Sequence, residues 1–350
     1  MSLMKRVGVV GIAVVVMSFA MSGARAGSAA PVSTVACSER SVAVSRAATV
    51  AGTLCVPSGA RVVQLLVHGA TYNRSYWSFD LEPATYSYVA AANARGIATF
   101  AVDVVGTGAS THPLSAEVNY ATTVLQLHDV VQWLRGHNGG PGFSRVAWVG
   151  HSFGSMYALA EISLFHDVDA VVLTGYGHRP RLPFVRDAFT TSAPASGNLD
   201  PGYRTTGPGM RTAFYNPAVA DAAVIAHDDA TKDVATVTQM ATGLPVSITP
   251  VSRGIDVPVL LALGEYDGIW CRPPGVTSSP AITNGIACGT PGAFARAEAP
   301  YFSKAACMRV VVIRGSGHSI NLHRTAPTAF DRILDWSEDV LPASGGHRCP

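Results

Sequence analysis

The sequence predicts an α/β fold, a mostly parallel central sheet flanked by helices with an inserted lid, and three observations lead there. Through the middle of the chain, short apolar runs alternate with apolar residues at three- and four-residue spacing, so that it reads β-α-β-α-β-α-β. Ahead of that alternation stands "SVAVSRAATVAGTL", an antiparallel hairpin pattern. Behind a core strand comes a long proline-interrupted stretch in which both periods loosen. A chain of 350 residues, 48% apolar and only 14% charged, can bury the core that such a fold needs.

The N-terminus reads as an address. Lys5 and Arg6 precede the apolar run "VGVVGIAVVVMSFAM", and Ala24 and Ala26 offer small residues for cleavage. The run is shorter than the ~20 apolar residues that span a bilayer, so residues 1–26 are expected to be a cleaved signal peptide and the mature protein to be secreted without a stable membrane anchor. All six cysteines follow that point, as a disulfide framework in an oxidising compartment requires. Cys37 and Cys55 flank the hairpin and are expected to staple its open end, whereas the pairing of Cys271, Cys288, Cys307 and Cys349 stays open.

Strands are expected at Ser41–Ala47, Thr49–Val56, Val62–Val67, Ala98–Val104, Val146–Val149, Ala170–Leu173, Val257–Leu263 and Val310–Ile313. Helical spacing marks Tyr86–Arg95, Tyr120–Leu134, Met156–Phe165 and Thr325–Val340. Residues 27–175 and 254–350 then form the core. Residues 176–253 carry eight prolines between short helical patterns such as "PFVRDAFTT" and "AVADAAVIAHDDATKDVATVTQMA", with Phe184, Phe189, Met210, Phe214, Tyr215 and Met240 giving apolar weight. Such an insertion suits a lid over the C-terminal edge of the sheet, where open α/β sheets bind ligands.

The chemistry concentrates at "RVAWVGHSFGSMYALAEISL". A strand runs into G-H-S-F-G and a helix follows, which is the context of a nucleophile elbow centred on Ser152. The helix N-terminus behind that serine supplies free N–H groups and the positive end of the helix dipole; a serine here can also serve merely as a helix cap. A hydroxyl needs a base to take its proton. His318, in "VVVIRGSGHSINLH", sits just beyond the last strand, with His323 as a rival whose place near the following helix suggests a surface or capping role. Asp267, in the turn after "VPVLLALGEYDGIW", is the orienting acid, and Glu265 two residues earlier is the alternative.

With these residues the chain resembles a secreted bacterial-type α/β-hydrolase of the lipase and esterase superfamily, whose triad follows the order Ser152, Asp267, His318. "LLVHGATYN" is similar to that family's H-G segment after the third strand, and the resemblance implies an oxyanion hole formed by the backbone N–H groups of Ala70 and Phe153, worth on the order of 3 kcal/mol per donor. "DVVGTGAS" resembles the family's turn after the fourth strand and is a structural turn; it lacks the lysine of a phosphate loop. His68 and His151 adjoin the two halves of the oxyanion hole, where the family uses such residues to brace loops. Tyr72, Tyr76, Trp77 and Trp270 are candidates for the pocket wall, with core packing as the other account.

The implied activity is hydrolysis of a carboxylic ester or lactone of a medium-sized hydrophobic substrate through an acyl-enzyme. An amide-cleaving peptidase on the same fold is the enzymatic alternative, and a binding protein with a vestigial triad is the alternative from another class. No cofactor is expected. Nor is a metal, since C-x-x-C and H-E-x-x-H spacings are absent. A net charge of +2, from 25 basic and 23 acidic residues without a basic run, argues against nucleic acid.

Overall fold

In the computed structural model, the described residues are 34–190, 192–195, 197, 199–272, 285–342 and 349. The expected signal segment, residues 1–26, lies outside them. The chain begins with strands β1 (Val35–Val44) and β2 (Ala48–Pro57), paired antiparallel with Cys37 opposite Cys55 and joined there by a disulfide. Then come β3 (Val62–Val67), α1 (Pro83–Tyr86), α2 (Tyr88–Ala94), β4 (Ala98–Val102), α3 (Tyr120–Leu134), β5 (Arg145–His151), α4 (Phe153–Phe165) and β6 (Ala170–Thr174).

After β6 the chain builds α5 (Leu182–Thr190), β7 (Ala193–Pro194), β8 (Tyr203–Thr205), α6 (Ala222–Ala230), β9 (Ala235–Thr236) and α7 (Val237–Gly243), with 3-10 turns between. It returns to the core through β10 (Val259–Gly264), α8 (Pro291–Glu298), β11 (Arg309–Ile313) and α9 (Ala326–Val340). The stretch expected as helical around 218–241 is therefore two helices divided by β9, which pairs with β8, itself paired with β7, in a small antiparallel sheet.

The main sheet has eight strands in the order β1-β2-β4-β3-β5-β6-β10-β11. From β4 to β11 every pairing is parallel, and β2 alone runs against the sheet, antiparallel to both β1 and β4. Helices cover both faces, which explains why the central strands read as unbroken apolar runs. Alternate residues feed two cores: Val63, Leu65, Val67, Trp148, Leu173 and Leu261 enter one, while Leu66, Ala147, Val149, Val172 and Leu260 enter the other. Helix α3 starts in a capping box, Asn119 accepting the Thr122 N–H at 3.1 Å while the Thr122 hydroxyl accepts from the Asn119 N–H.

The cysteines whose pairing the sequence left open form Cys271–Cys288 and Cys307–Cys349, so all six are bonded. Three disulfides fit an extracellular protein. Among the described residues no helix is long and apolar enough to cross a membrane.

Candidate active site

Five loops meet at the C-terminal edge of the parallel sheet, those after β3, β5, β6, β10 and β11. Ser152 stands between β5 and α4 with φ 53° and ψ −113°, a backbone that a non-glycine residue adopts only when its surroundings enforce it. Its N–H donates to the Thr174 carbonyl on the neighbouring strand (2.9 Å), and its side chain makes no capping hydrogen bond, so the helix does not employ it as a cap. The flanking glycines are required by space. A Cβ on Gly154 would lie 2.1 Å from the Val67 carbonyl oxygen, and one on Gly150 would lie 2.5 Å from the Gly154 backbone. Gly69 is equally constrained, since its Cβ would fall 2.9 Å from that of Ser152. The close approach brings the turn after β3 against the elbow.

His318 and Asp267 are both 1% exposed. The imidazole Nδ1 lies 2.8 Å from Asp267 Oδ2. A carboxylate can only accept, so Nδ1 carries the proton and Nε2 is left with its lone pair. The other carboxylate oxygen, Oδ1, accepts the N–H groups of Ile269 (2.8 Å) and Trp270 (3.2 Å), fixing the acid's orientation from its own loop. Glu265 instead accepts the Gly315 N–H (3.0 Å) and braces the β11 loop from behind.

His323 is neither exposed nor a helix cap. It is fully buried, with Nδ1–H donating to the Ser319 carbonyl (2.8 Å) and Nε2 accepting the N–H groups of Asn216 and Gly317, both at 3.0 Å. Desolvation holds its pKa down to about 4, so the ring is neutral and ties the His318 loop to the 211–216 turn. His68 has a similar bracing position: Nε2 accepts the Val104 N–H (3.1 Å), and Nδ1 meets the Gly69 carbonyl (2.8 Å). His151 is buried beneath the elbow, where desolvation pushes its pKa well down.

A cavity of about 120 Å3 opens at Ser152 and His318, and Ala70 and Phe153 also line it. Among the described residues no protein acceptor takes the Ala70 or Phe153 N–H. Met156, Phe184, Phe214, Met240, Leu244 and Trp270 give the cavity an apolar wall, much of it from residues 176–253. Of the four aromatic candidates, Tyr72 and Trp270 line the cavity. Tyr76 and Trp77 do not: they are 1% and 0% exposed because the 3-10 turn Arg74–Tyr76 directs them inward, and Tyr76 stacks on His151 at 4.3 Å.

Sequence reasoning missed the grip on the loop after β3. Arg211, 1% exposed, donates to the Thr71 carbonyl (2.8 Å) and hydroxyl (3.2 Å), lies over the Tyr72 ring (3.9 Å) and pairs with Asp228 (3.1 Å). Thr71 itself has φ 61°. No local signal marks these residues, because Arg211 and Thr71 are 140 positions apart.

The turn after β4 is structural, as its spacing suggested. Asp103 is buried and accepts the N–H groups of Arg74 (2.8 Å) and Ala109 (2.9 Å), while a Cβ on Gly108 would collide with its carboxylate.

A second serine–histidine–carboxylate constellation lies elsewhere. Ser252 Oγ is 3.0 Å from His178 Nε2, and His178 Nδ1 is 2.5 Å from Glu298 Oε2. All three residues are 0% exposed, and Ser252 donates its single proton to the Tyr301 carbonyl at 2.7 Å. It is a sealed brace without room for a substrate.

A family model described as "Alpha/beta hydrolase family" matches residues 64–332. A sequence search of curated proteins finds no significant match. Among solved structures, the chain is similar to the esterase domain of a Rhodothermus marinus protein, with TM-score 0.53, 18% identity, 87% of this chain and 98% of that one. It is also similar to the alpha/beta hydrolase GrgF from Penicillium sp. sh18, with TM-score 0.55, 16% identity, 87% of this chain and 98% of that one. A third is 2-hydroxy-6-oxo-6-phenylhexa-2,4-dienoate hydrolase from Rhodococcus sp. strain RHA1, with TM-score 0.52, 16% identity, 87% of this chain and 99% of that one. At such identities the likeness is one of fold.

Proposed function

Because the chain belongs to the alpha/beta hydrolase family, we propose that it is a secreted serine hydrolase that cleaves carboxylic esters or lactones of medium-sized hydrophobic substrates. The observation that carries this reading is the cavity itself. It brings a serine on a strained elbow and a histidine backed by a buried aspartate to the same apolar wall.

In this mechanism His318 Nε2 takes the Ser152 proton as Oγ attacks the carbonyl carbon, and Asp267 stabilises the imidazolium without itself being protonated. The Ala70 and Phe153 amides, which among the described residues have no protein acceptor, receive the developing oxyanion. His318 then protonates the departing alkoxide. Water, deprotonated by the same nitrogen, attacks the acyl-enzyme carbonyl; collapse of the second tetrahedral intermediate releases the acid and returns the proton to Ser152. Residues 176–253 serve as the lid that shapes the acyl or alcohol pocket.

The test combines a fluorophosphonate probe with a panel of p-nitrophenyl esters from acetyl to decanoyl, several lactones and aminoacyl amides. Labelling of Ser152 is expected, with kcat/KM rising as apolar area is buried at ~25 cal/mol per Å2. Ser152→Ala removes both labelling and turnover while leaving the melting temperature unchanged. Preference for the amides would replace this reading with a peptidase, and an unlabelled Ser152 would end the hydrolase reading.

A further inference from the structure

The α3–α4 contact, on the far side of α4 from its Ser152 end, gathers three metal-ligating groups that the hydrolytic site does not use. His128 comes from α3, Glu161 from the third turn of α4 and Asp167 from the loop just after it. One ligand atom from each lies within 4.8 Å of the other two. His128 Nδ1 is 3.2 Å from Glu161 Oε1 and 2.9 Å from Asp167 Oδ2. Without an ion this cluster is costly, because burial pushes the Glu161 carboxyl up to about 7 and sets it beside a second acid, Asp167. A single Nδ1–H faces two carboxylates, Glu161 is 0% exposed, and its Oε2, like Asp167 Oδ1, is buried without a partner. A buried carboxylate oxygen with nothing to accept from carries a desolvation cost that a cation removes.

We propose that His128, Glu161 and Asp167 form a binding site for one divalent transition-metal ion of the zinc class. The donor set selects the class: an imidazole with two carboxylates suits zinc and its neighbours, whereas calcium and magnesium favour oxygen alone. The geometry agrees, since tetrahedral ligands at zinc distances stand about 3.3 Å apart, close to the two separations from Nδ1. Two carboxylates and a neutral imidazole balance the charge of a dication. The surroundings also fit. Gln132 donates to Asp167 Oδ2 (2.6 Å) and Arg135 to the Asp167 carbonyl (3.1 and 2.8 Å), which hold that ligand in place. The site lies at the C-terminal end of α4, where the helix dipole favours positive charge. His128 and Asp167 keep 22% and 14% side-chain exposure, which gives the ion a route from solvent and room for a water as fourth ligand.

The site joins α3 to α4 and is structural. It supplies nothing to the reaction at Ser152, so its fate is separable from the hydrolase reading. The test uses disulfide-intact protein stripped with chelator and titrated with Zn2+ and Co2+, alongside Glu161→Gln, His128→Gln and Asp167→Asn. Expected are one ion per chain, a visible Co2+ spectrum of a four-coordinate site, a metal-dependent rise in melting temperature, and at least a tenfold loss of affinity in each variant that folds. The more exposed Asp167→Asn keeps the test valid if burial makes Glu161→Gln unstable. Failure to retain an equivalent of metal through gel filtration, or uptake by the variants equal to that of the native chain, would overturn the proposal.

Discussion

Acid should loosen the loop that carries His318, through His323 five residues away. The buried ring accepts two backbone N–H groups at Nε2, and protonation there turns an acceptor into a donor facing two donors. Its pKa is held at about 4 by desolvation, against an ordinary 6.5 in the unfolded chain. The neutral ring is the form the fold prefers, so its contribution to stability is complete above pH 6.5. It is lost as pH falls from 6.5 toward 4, the window in which the unfolded chain binds the extra proton, and does not change further below that. At ~1.4 kcal/mol per pH unit the whole window is worth about 3 kcal/mol, a substantial part of the 5–15 kcal/mol by which domains are stable. Urea unfolding of the native chain and of His323→Gln between pH 7.5 and 4 isolates this group, because carboxylates and the buried His68 and His151 contribute alike to both. The variant should be the less stable at pH 7.5, and the gap should close by about 3 kcal/mol by pH 4. Parallel curves would refute the assignment of a neutral, doubly accepting His323.

Asp267→Asn should lower kcat by about four orders of magnitude through the wrong imidazole tautomer, whereas Glu265→Gln, whose amide oxygen still accepts the Gly315 N–H, should cost under tenfold. Steady-state ester hydrolysis separates the two. Gly154→Ala places a methyl group against the Val67 carbonyl, so turnover should vanish together with a loss of at least ~1–3 kcal/mol in stability, unlike Ser152→Ala, which should lose turnover alone. Removing the Cys271–Cys288 bridge, which closes a separation of 17 residues beside the acid loop, should destabilise by about 3 kcal/mol; an unchanged melting temperature would show that the bridge constrains little.

The parallel strands were legible because a strand covered on both faces has to be apolar throughout, and Leu65, Val149 and Leu261 advertise that in any window. The first half of β1 was not. Residues 35–40 are mostly exposed and lack alternation, and their strand character comes from the ladder with β2. The strands β7 and β9, two residues each, are too short to show a period. At the site, Ser152, Asp267 and His318 each carry a local signature of strand end and turn. His323 was misread as a surface group because its partners Asn216 and Gly317 lie on separate loops. The sealed Ser252–His178–Glu298 brace shows the converse, since its residue types match those of a triad while burial and the donation of the Ser252 proton to the Tyr301 carbonyl set it apart.

The grip of Arg211 on Thr71 has a consequence for anyone redesigning the protein. Residues 176–253 look exchangeable in sequence, an insertion between two core strands whose replacement would alter the shape of the cavity. Yet Arg211 and Asp228 travel with that insertion, while Thr71 and Tyr72 stay behind. A chimera made by swapping the insertion would leave the φ 61° backbone at Thr71 without its guanidinium, next to the amide of Ala70. On the proposed function, selectivity and the rate of the chemical step would thus be inherited together, and a successful graft must carry an arginine to the same carbonyl.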